Sequence, residues 1–300
     1  MEEQRFSIPI TDETAGRRVD EVLRAVLGMS ARQIRLIKAQ KGFFLDNRPV
    51  YANAVTQPGQ TLTALCRDPY DQGIEPEAGE LTVLYEDEHL LIIDKPAPLP
   101  TLPEPGRMHG TLANRVAAYL AQERFIFRPV NRLDRGTSGI LVAAKHPLAQ
   151  KRLMDNLHTD AFARTYEAII DGILPEDAMR IDAPIGRLPG DSVRRCVAPD
   201  GKPARTDLTV LARYPLTNHT RVLLRLHTGR THQLRVHLAH IGHPVTGDAL
   251  YGTPCEALPD RFALHSAHLT LIHPFTGSKI QLDSPLPAEF SPLQRPDFGL

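Results

Sequence analysis

The chain has 300 residues, of which 42% are hydrophobic, so it is long enough to bury the core of one large domain or of two. Its 35 basic and 35 acidic residues balance, so only local clusters of charge are informative about partners. Three widely spaced cysteines and an acidic N-terminus argue against a disulfide framework and a signal peptide. No stretch approaches the length of a membrane span. These features predict a cytoplasmic protein that does not contact a membrane.

The first part of the chain, residues 12–68, has the pattern of a small module with two helices and short strands. Apolar residues recur at helical spacing from Val19 to Leu27, and Gly28 ends this helix. Ser30 followed by Gln33 matches a capping box. A second helix is therefore predicted after Ser30, and it stops near Gly42.

The second helix carries a local cluster of basic residues. Arg32, Arg35 and Lys38 are three residues apart, so they can share one face, and Lys41 follows. A basic helix face beside short strands suits contact with phosphates. The alternative is a face that is merely solvated. Of the two, we favour contact of these four residues with phosphates.

Residues 69–80 separate this module from the rest of the chain. They contain Pro, Gly and acids, and from Asp68 to Glu88 there are eight acids and no Lys or Arg. This composition is typical of a linker that repels polyanions rather than binding them. The second domain, 81–300, opens with strands at 81–85 and 90–93. Helices are predicted from Thr111 to Gln122 and after Pro147.

The segment 131–145 places Asp134 between Arg132 and Arg135 and then runs into the apolar strand 140–144. Nearby positive charge is expected to keep such an aspartate ionised. The glycines that follow it permit close approach of a ligand to the backbone. From these residues alone, an ordinary turn with a surface Asp–Arg pair is an equal alternative.

Two later segments also carry polar side chains next to predicted elements. Tyr166 lies within a predicted strand at 162–172, where a half-buried structural tyrosine is the default interpretation. From His219 to His243 there are four arginines, six histidines and no acid. Thr231 is predicted to cap a helix that ends at Gly242.

The histidines of this cluster raise the alternative of a zinc hydrolase. His232, His237, His240 and His243 lack the clean ligand spacing of a motif such as HExxH, and no cysteine lies among them. We therefore predict no metal site. Structural hydrogen bonding and phosphate contact are the favoured roles of these histidines.

Three ordered segments resemble the motifs of RluA-type pseudouridine synthases. The first, 131–139, matches His-Arg-Leu-Asp-x-x-Thr-Ser-Gly, with Asn131 in place of His and Gly136 in place of a frequent acid. The second, 164–168, matches Lys-x-Tyr-x-Ala with Arg164 in place of Lys. The third, 226–237, closely matches the third motif of the family. More weakly, 12–68 resembles the S4-like RNA-binding module, which implies that Arg32, Arg35, Lys38 and Lys41 contact RNA.

The resemblance implies roles for individual residues. Asp134 would be the catalytic aspartate, acting as a nucleophile or as a base, and Arg230 would pair with it. Tyr166 would stack on the target base and help remove its ring proton, while Leu234 packs against the base pocket. Arg132 would fill the gap left by a flipped uridine. The family uses no metal or cofactor.

The expected fold class is α+β, with a small N-terminal S4-like α/β RNA-binding module at 1–68 and a linker at 69–80. The catalytic domain, 81–300, is expected to hold a mixed, mainly antiparallel sheet. The predicted function is an RNA pseudouridine synthase that works as a monomer. Large-subunit ribosomal RNA is favoured over transfer RNA as substrate. The alternative is a non-catalytic RNA-binding protein that assists ribosomal RNA assembly.

Overall fold

The computed structural model describes residues 3–67, 73–120 and 126–295. The start of the predicted linker and the end of the helix predicted to reach Gln122 lie outside the described residues, as do both chain termini.

The N-terminal elements are, in order, β1 (Glu3–Pro9), α1 (Val19–Leu27), α2 (Ala31–Ala39), β2 (Phe43–Leu45), β3 (Arg48–Pro49) and β4 (Thr61–Arg67). The next elements are β5 (Thr82–Glu86), β6 (Leu90–Lys95), α3 (Leu112–Leu120), β7 (Arg128–Pro129), β8 (Ser138–Ala144), α4 (Pro147–Asp155) and β9 (Phe162–Asp171). The last part contains β10 (Ala178–Asp182), β11 (Ile185–Arg187), β12 (Arg195–Val197), β13 (Arg205–Tyr214), β14 (His219–Leu226), α5 (Gln233–His240), β15 (Leu264–Ile272) and β16 (Lys279–Asp283).

The N-terminal unit has its own antiparallel sheet, in the order β1-β4-β2-β3, and its own hydrophobic core. The predicted capping box forms: Gln33 N–H donates to Ser30 Oγ (3.2 Å), and Ser30 N–H donates to Gln33 Oε1 (2.7 Å). Gly28 ends α1 in the left-handed conformation, at φ 69°. Local signals thus specify both helices of this unit.

The main sheet runs in the order β10-β13-β14-β9-β15-β8-β6-β5, with β16 beside β15 and β7 beside β8. β15 and β8 pair in parallel, and the other neighbours on this path are antiparallel. The predicted α+β class with a mixed, mainly antiparallel sheet is confirmed. β8 is buried at every position, so it anchors the segment of Asp134 in the middle of the core.

The two units contact each other through α4. Leu148 is buried in the core of the N-terminal unit, and Phe275 packs against the same core. Arg152 donates from its guanidinium to the carbonyls of Val26 (3.3 Å) and Leu27 (3.1 Å). These carbonyls belong to the last turn of α1, where backbone acceptors have no partner within the helix. Arg152 therefore caps a helix of the other unit.

The described part of the predicted linker, 73–80, lies along the main unit. Ile74 is buried in the large core, and the Asn114 side chain donates to the carbonyl of Glu75 (2.8 Å). Within the described ranges, none of the helices has the length and apolarity needed to cross a bilayer.

Candidate active site

Asp134 lies in a loop that is braced by the segment after β6. Leu99 N–H donates to the Arg135 carbonyl (3.0 Å), and the Thr101 hydroxyl donates to the Leu133 carbonyl (2.7 Å). The buried Lys95 donates to the carbonyls of Leu99 (2.7 Å) and, at longer range, Arg135 (3.4 Å). Burial lowers the pKa of Lys95 to about 7. These bonds hold the backbone on both sides of Asp134.

The two departures from the family motif have structural explanations. Asn131 is buried, and its Oδ1 accepts a hydrogen bond of 2.8 Å from the N–H of Val142 in β8. A side chain therefore satisfies a buried backbone donor there. A Cβ on Gly136 would lie 2.6 Å from a ring carbon of Phe262. Glycine thus lets Phe262 approach the loop.

Arg235 is the cation that contacts Asp134. Its Nη1 donates to Asp134 Oδ2 (2.9 Å), while Nε and Nη2 donate to the two oxygens of Asp248 (2.6 and 2.8 Å). Its guanidinium lies 4.4 Å from the ring centroid of Phe262. Although burial disfavours its charge, the hydrogen bonds that it donates to Asp248 and the charge of Asp134 raise the pKa of Arg235. Arg235 is therefore a fixed positive charge beside Asp134.

The predicted pairing of Arg230 with Asp134 is wrong. Arg230 Nε donates instead to the carbonyl of Pro203 (2.9 Å). The two arginines are five residues apart, and α5 begins between them, so only Arg235 lies on the helix. The predicted cap of α5 is also wrong, because His232, at φ 57°, occupies the N-cap position rather than Thr231.

Tyr166 and Leu234 line a pocket with Asp134. Both side chains are buried, at 4% and 5% exposure, and each presents an apolar surface to the pocket. Arg132 is exposed at the rim, and Arg230 also contributes to the lining. The predicted residues of the central domain therefore come together, although Arg230 does so without touching Asp134.

The pocket opens into a cleft of about 780 Å³. Its lining contains three acids, Glu104, Asp134 and Asp260, and a larger number of arginines: Arg107, Arg132, Arg135, Arg164, Arg230 and Arg235. A cleft with an excess of positive charge attracts polyanions.

The sequence raised His232 as a possible metal ligand, but in the structure its ring lies between Asp134 and Tyr251. Its Nε2 lies 4.0 Å from Asp134 Oδ2, and its Nδ1 lies 2.8 Å from the hydroxyl of Tyr251. Burial lowers the pKa of His232, partly offset by the charge of Asp134. His237 uses both ring nitrogens on Thr206 and the Ala183 carbonyl. Among the described residues, no three metal-binding side chains form a group that could hold an ion.

The basic residues of the N-terminal unit are on the surface. Arg32, Arg35 and Lys38 are exposed on α2, and Lys41 is exposed just after it. They do not contribute to the lining of the cleft around Asp134.

Sequence reasoning did not identify three of the residues that shape this site. Asp248 and Phe262 fix Arg235, and Tyr251 holds His232. Each is distant in sequence from the loop of Asp134. The one available signal was Asp248 itself, because an acid in the segment 247–252, if buried, requires a cationic or hydrogen-bonding partner.

The family model of RNA pseudouridylate synthase matches residues 89–240. The chain is 38% identical over 296 residues to the uncharacterized RNA pseudouridine synthase YhcT of Bacillus subtilis, covering 98% of each chain. It is 37% identical to the ribosomal large subunit pseudouridine synthase D of Nitrosomonas europaea, covering 97% of this chain and 87% of that one.

A solved structure, human RNA pseudouridylate synthase domain containing 1, has a TM-score of 0.58 and 29% identity. The match covers 70% of this chain and 86% of that one. The chain therefore belongs to the RNA pseudouridylate synthase family and is an isomerase that acts on RNA.

Proposed function

We propose that this enzyme isomerises a uridine of large-subunit ribosomal RNA and that Asp134 carries the chemistry. The observation that carries the proposal is the position of Asp134, in a cationic cleft and hydrogen-bonded to the fixed charge of Arg235. The names of relatives such as the ribosomal large subunit pseudouridine synthase D support ribosomal RNA as the substrate.

The reaction detaches uracil from its ribose, rotates it and rejoins it through a ring carbon. A stacked uridine must first leave the helix. Arg132, which is exposed at the rim of the pocket, fills the space that the uridine leaves. The freed base is held between Tyr166 and Leu234, whose buried apolar surfaces line the pocket.

Asp134 then acts as the nucleophile or as the base that starts glycosidic cleavage. Arg235 keeps its carboxylate aimed, because three hydrogen bonds and an aromatic ring fix the guanidinium. The Tyr166 hydroxyl helps remove the ring proton from the rejoined base, a form of general base help. We assign Arg230 to contact with RNA, because Arg235 takes the place that was predicted for it beside Asp134.

We further propose that residues 1–68 form an S4-like RNA-binding module, joined by 69–80 to a catalytic domain at 81–300. The exposed cations of α2 and Lys41 support phosphate contact by this module. A cytoplasmic location and a monomeric state belong to the same proposal, and the free thiols of the three cysteines fit a reducing compartment.

The test is incubation of the protein with unmodified ribosomal RNAs and transfer RNAs, followed by mapping of new pseudouridine. We expect one or a few sites in the large-subunit RNA and none in an incubation with Asp134→Asn protein. Modification confined to transfer RNA would contradict the substrate. Tight RNA binding without any new pseudouridine would favour the non-catalytic alternative.

A further inference from the structure

Arg164 is a buried cation in the wall of the cleft. It lies two residues before Tyr166 on β9, so both side chains are on the same face of the strand. It is only 7% exposed, and its Nη1 lies 3.5 Å from the Tyr166 hydroxyl. Within the described ranges, no carboxylate lies within ion-pair distance of it. Burying an uncompensated charge is costly, so the site is suited to an external anion.

His158 lies next to Arg164 and Arg230. Burial and the charges of these two arginines lower the pKa of His158 to about 4, so its imidazole is neutral at pH 7. The ring packs on the backbone before Arg230, because a Cβ on Gly229 would lie 2.8 Å from His158 Nε2. A neutral imidazole retains one N–H donor.

Arg230 completes this group. Its Nε is used by the Pro203 carbonyl, and no carboxylate of the described chain forms an ion pair with its guanidinium. Arg164, His158 and Arg230 all line the cleft around Asp134. Two guanidinium groups and an imidazole therefore share one wall of the cleft, immediately beside Tyr166.

We propose that Arg164, His158 and Arg230 form a subsite for one backbone phosphate of the RNA, next to the uridine in the pocket. A phosphodiester has two free oxygens and one negative charge, which match the paired guanidinium donors. Because Tyr166 lines the base pocket, the phosphate is one that flanks the reacting nucleotide. This proposal rests on the proposed function in one respect, the identity of the RNA that supplies this nucleotide.

The test uses full-length protein carrying Asp134→Asn, so that binding is measured without turnover. The probe is a fluorescent stem–loop RNA containing the uridine mapped above or, if no uridine is converted, the stem–loop of large-subunit RNA that the protein binds most tightly. In a series of otherwise identical RNAs, a neutral methylphosphonate replaces one flanking phosphate at a time. Affinity is measured for each RNA with and without Arg164→Gln.

On unmodified RNA, Arg164→Gln should weaken binding roughly ten- to a hundredfold, as expected for loss of a charged hydrogen bond. The slope of log affinity against log salt should fall by about 0.7 to 0.9. At one flanking linkage, the methylphosphonate should cost the parent protein at least a similar factor and should cost Arg164→Gln clearly less, because only Arg230 and His158 then remain on that phosphate. Arg164→Lys, which retains the charge, should recover part of the loss.

Arg225→Gln is the matched control. Arg225 is an exposed arginine on β14 that donates a hydrogen bond to Asp160 (2.7 Å). It does not line the cleft. This substitution removes the same charge but should show no coupling to any single linkage. If Arg164→Gln does not fold, Arg230→Gln carries the same comparison.

The proposal is overturned if the effects of Arg164→Gln and of every methylphosphonate simply add, or if Arg164→Gln binds like Arg225→Gln. Because the readout is binding, failure of the proposed function is separate. An RNA that shows the coupling but is never converted to pseudouridine would count against the function and not against the subsite.

Discussion

Arg235 is held between two carboxylates of different exposure. The side chain of Asp248 is 1% exposed, whereas that of Asp134 is 32% exposed and faces the pocket. Removing one partner of a buried ion pair leaves an uncompensated charge and costs about 3–5 kcal/mol. Loss of either Asp248 or Arg235 should therefore destabilise the fold. The intact pair places a rigid donor on Asp134 before substrate arrives.

The first prediction separates the two arginines of the third motif. Arg235→Lys retains a positive charge but cannot bind Asp134 and Asp248 together, so the single-turnover rate on saturating RNA should fall by about a hundredfold or more. Arg230→Gln should mainly weaken RNA binding, and its rate on saturating RNA should fall much less. Equal losses of rate in the two variants would mean that Arg235 has no special link to the chemistry.

This contrast also shows why the sequence misassigned the cation. The segment 226–237 predicted a cationic site, and both arginines lie there. Which of them reaches Asp134 depends on the left-handed His232 at φ 57°, which starts α5 one residue later than a Thr231 cap would. It also depends on Asp248, and a contact between residues 235 and 248 has no local signal.

Asn131 connects the loop of Asp134 to β8. Its Oδ1 accepts the N–H of Val142, and both groups are buried. Asn131→Leu should lower the free energy of unfolding by about 1–3 kcal/mol, because that donor loses its partner. Chemical denaturation checks this, with exposed Asn53 replaced by Leu as the control. A variant as stable as the parent would mean that another group satisfies Val142.

Helix α4 begins at a histidine that is kept neutral. His146 is buried, its Nδ1 accepts the N–H of Ala149 (3.2 Å), and its Nε2 lies 2.9 Å from His89 Nδ1. Burial, with the charges of His89, Arg128 and Arg152, lowers the pKa of His146 to about 3. The folded state therefore binds fewer protons than the unfolded state between about pH 3 and the unfolded value near 6.5.

The lowered pKa of His146 makes the stability of the fold depend on pH. The contribution of His146 is fully present above pH 6.5 and is lost as the pH falls, by at most about 1.4 kcal/mol per pH unit. His146→Gln can still accept from Ala149 but does not titrate. The free energy of unfolding, measured from pH 7.5 to pH 5, should therefore fall less steeply in this variant. Parallel curves for the two proteins would exclude His146 as the source.

The elements themselves were largely predictable from the sequence. The periodicity from Val19 to Leu27 and the Ser30 capping box specified α1 and α2, and the apolar run 140–144 specified most of β8. The order of the strands was not predictable in this way. β8 lies between β15 and β6, and its parallel pairing with β15 joins residues more than 120 positions apart, for which adjacent residues carry no signal.

The two units of the molecule are packed together rather than merely linked. Leu148 enters the core of the N-terminal unit, and the Arg152 guanidinium bonds to α1 while lying 4.4 Å from the Phe275 ring centroid. This packing fixes the basic face of α2 relative to the cleft around Asp134. An RNA that binds the basic face of α2 and the cleft at the same time must therefore span a fixed distance between them.

The fourth prediction tests the basic face without disturbing this packing. Deleting the N-terminal unit would expose Leu148 and Phe275, so charge substitutions are the cleaner test. The double variant Arg35→Gln, Lys38→Gln should weaken RNA binding and lower the slope of log affinity against log salt by about 1.4 to 1.8, or 0.7 to 0.9 per lost phosphate contact. Its unfolding should match that of the parent. An unchanged slope would mean that the face of α2 is only solvated.

Asp134 is the residue on which the account depends, and loss of hydrogen from the C5 ring carbon tests it most directly. Rejoining uracil through that carbon expels its hydrogen, so RNA tritiated at C5 of uridine releases tritium to water as pseudouridine forms. The parent protein should release tritium in proportion to the sites modified in large-subunit RNA. Asp134→Asn should bind the same RNA and release none. Release by Asp134→Asn within tenfold of the parent, a barrier change of only about 1.4 kcal/mol, would contradict the assignment of Asp134 as the catalytic residue.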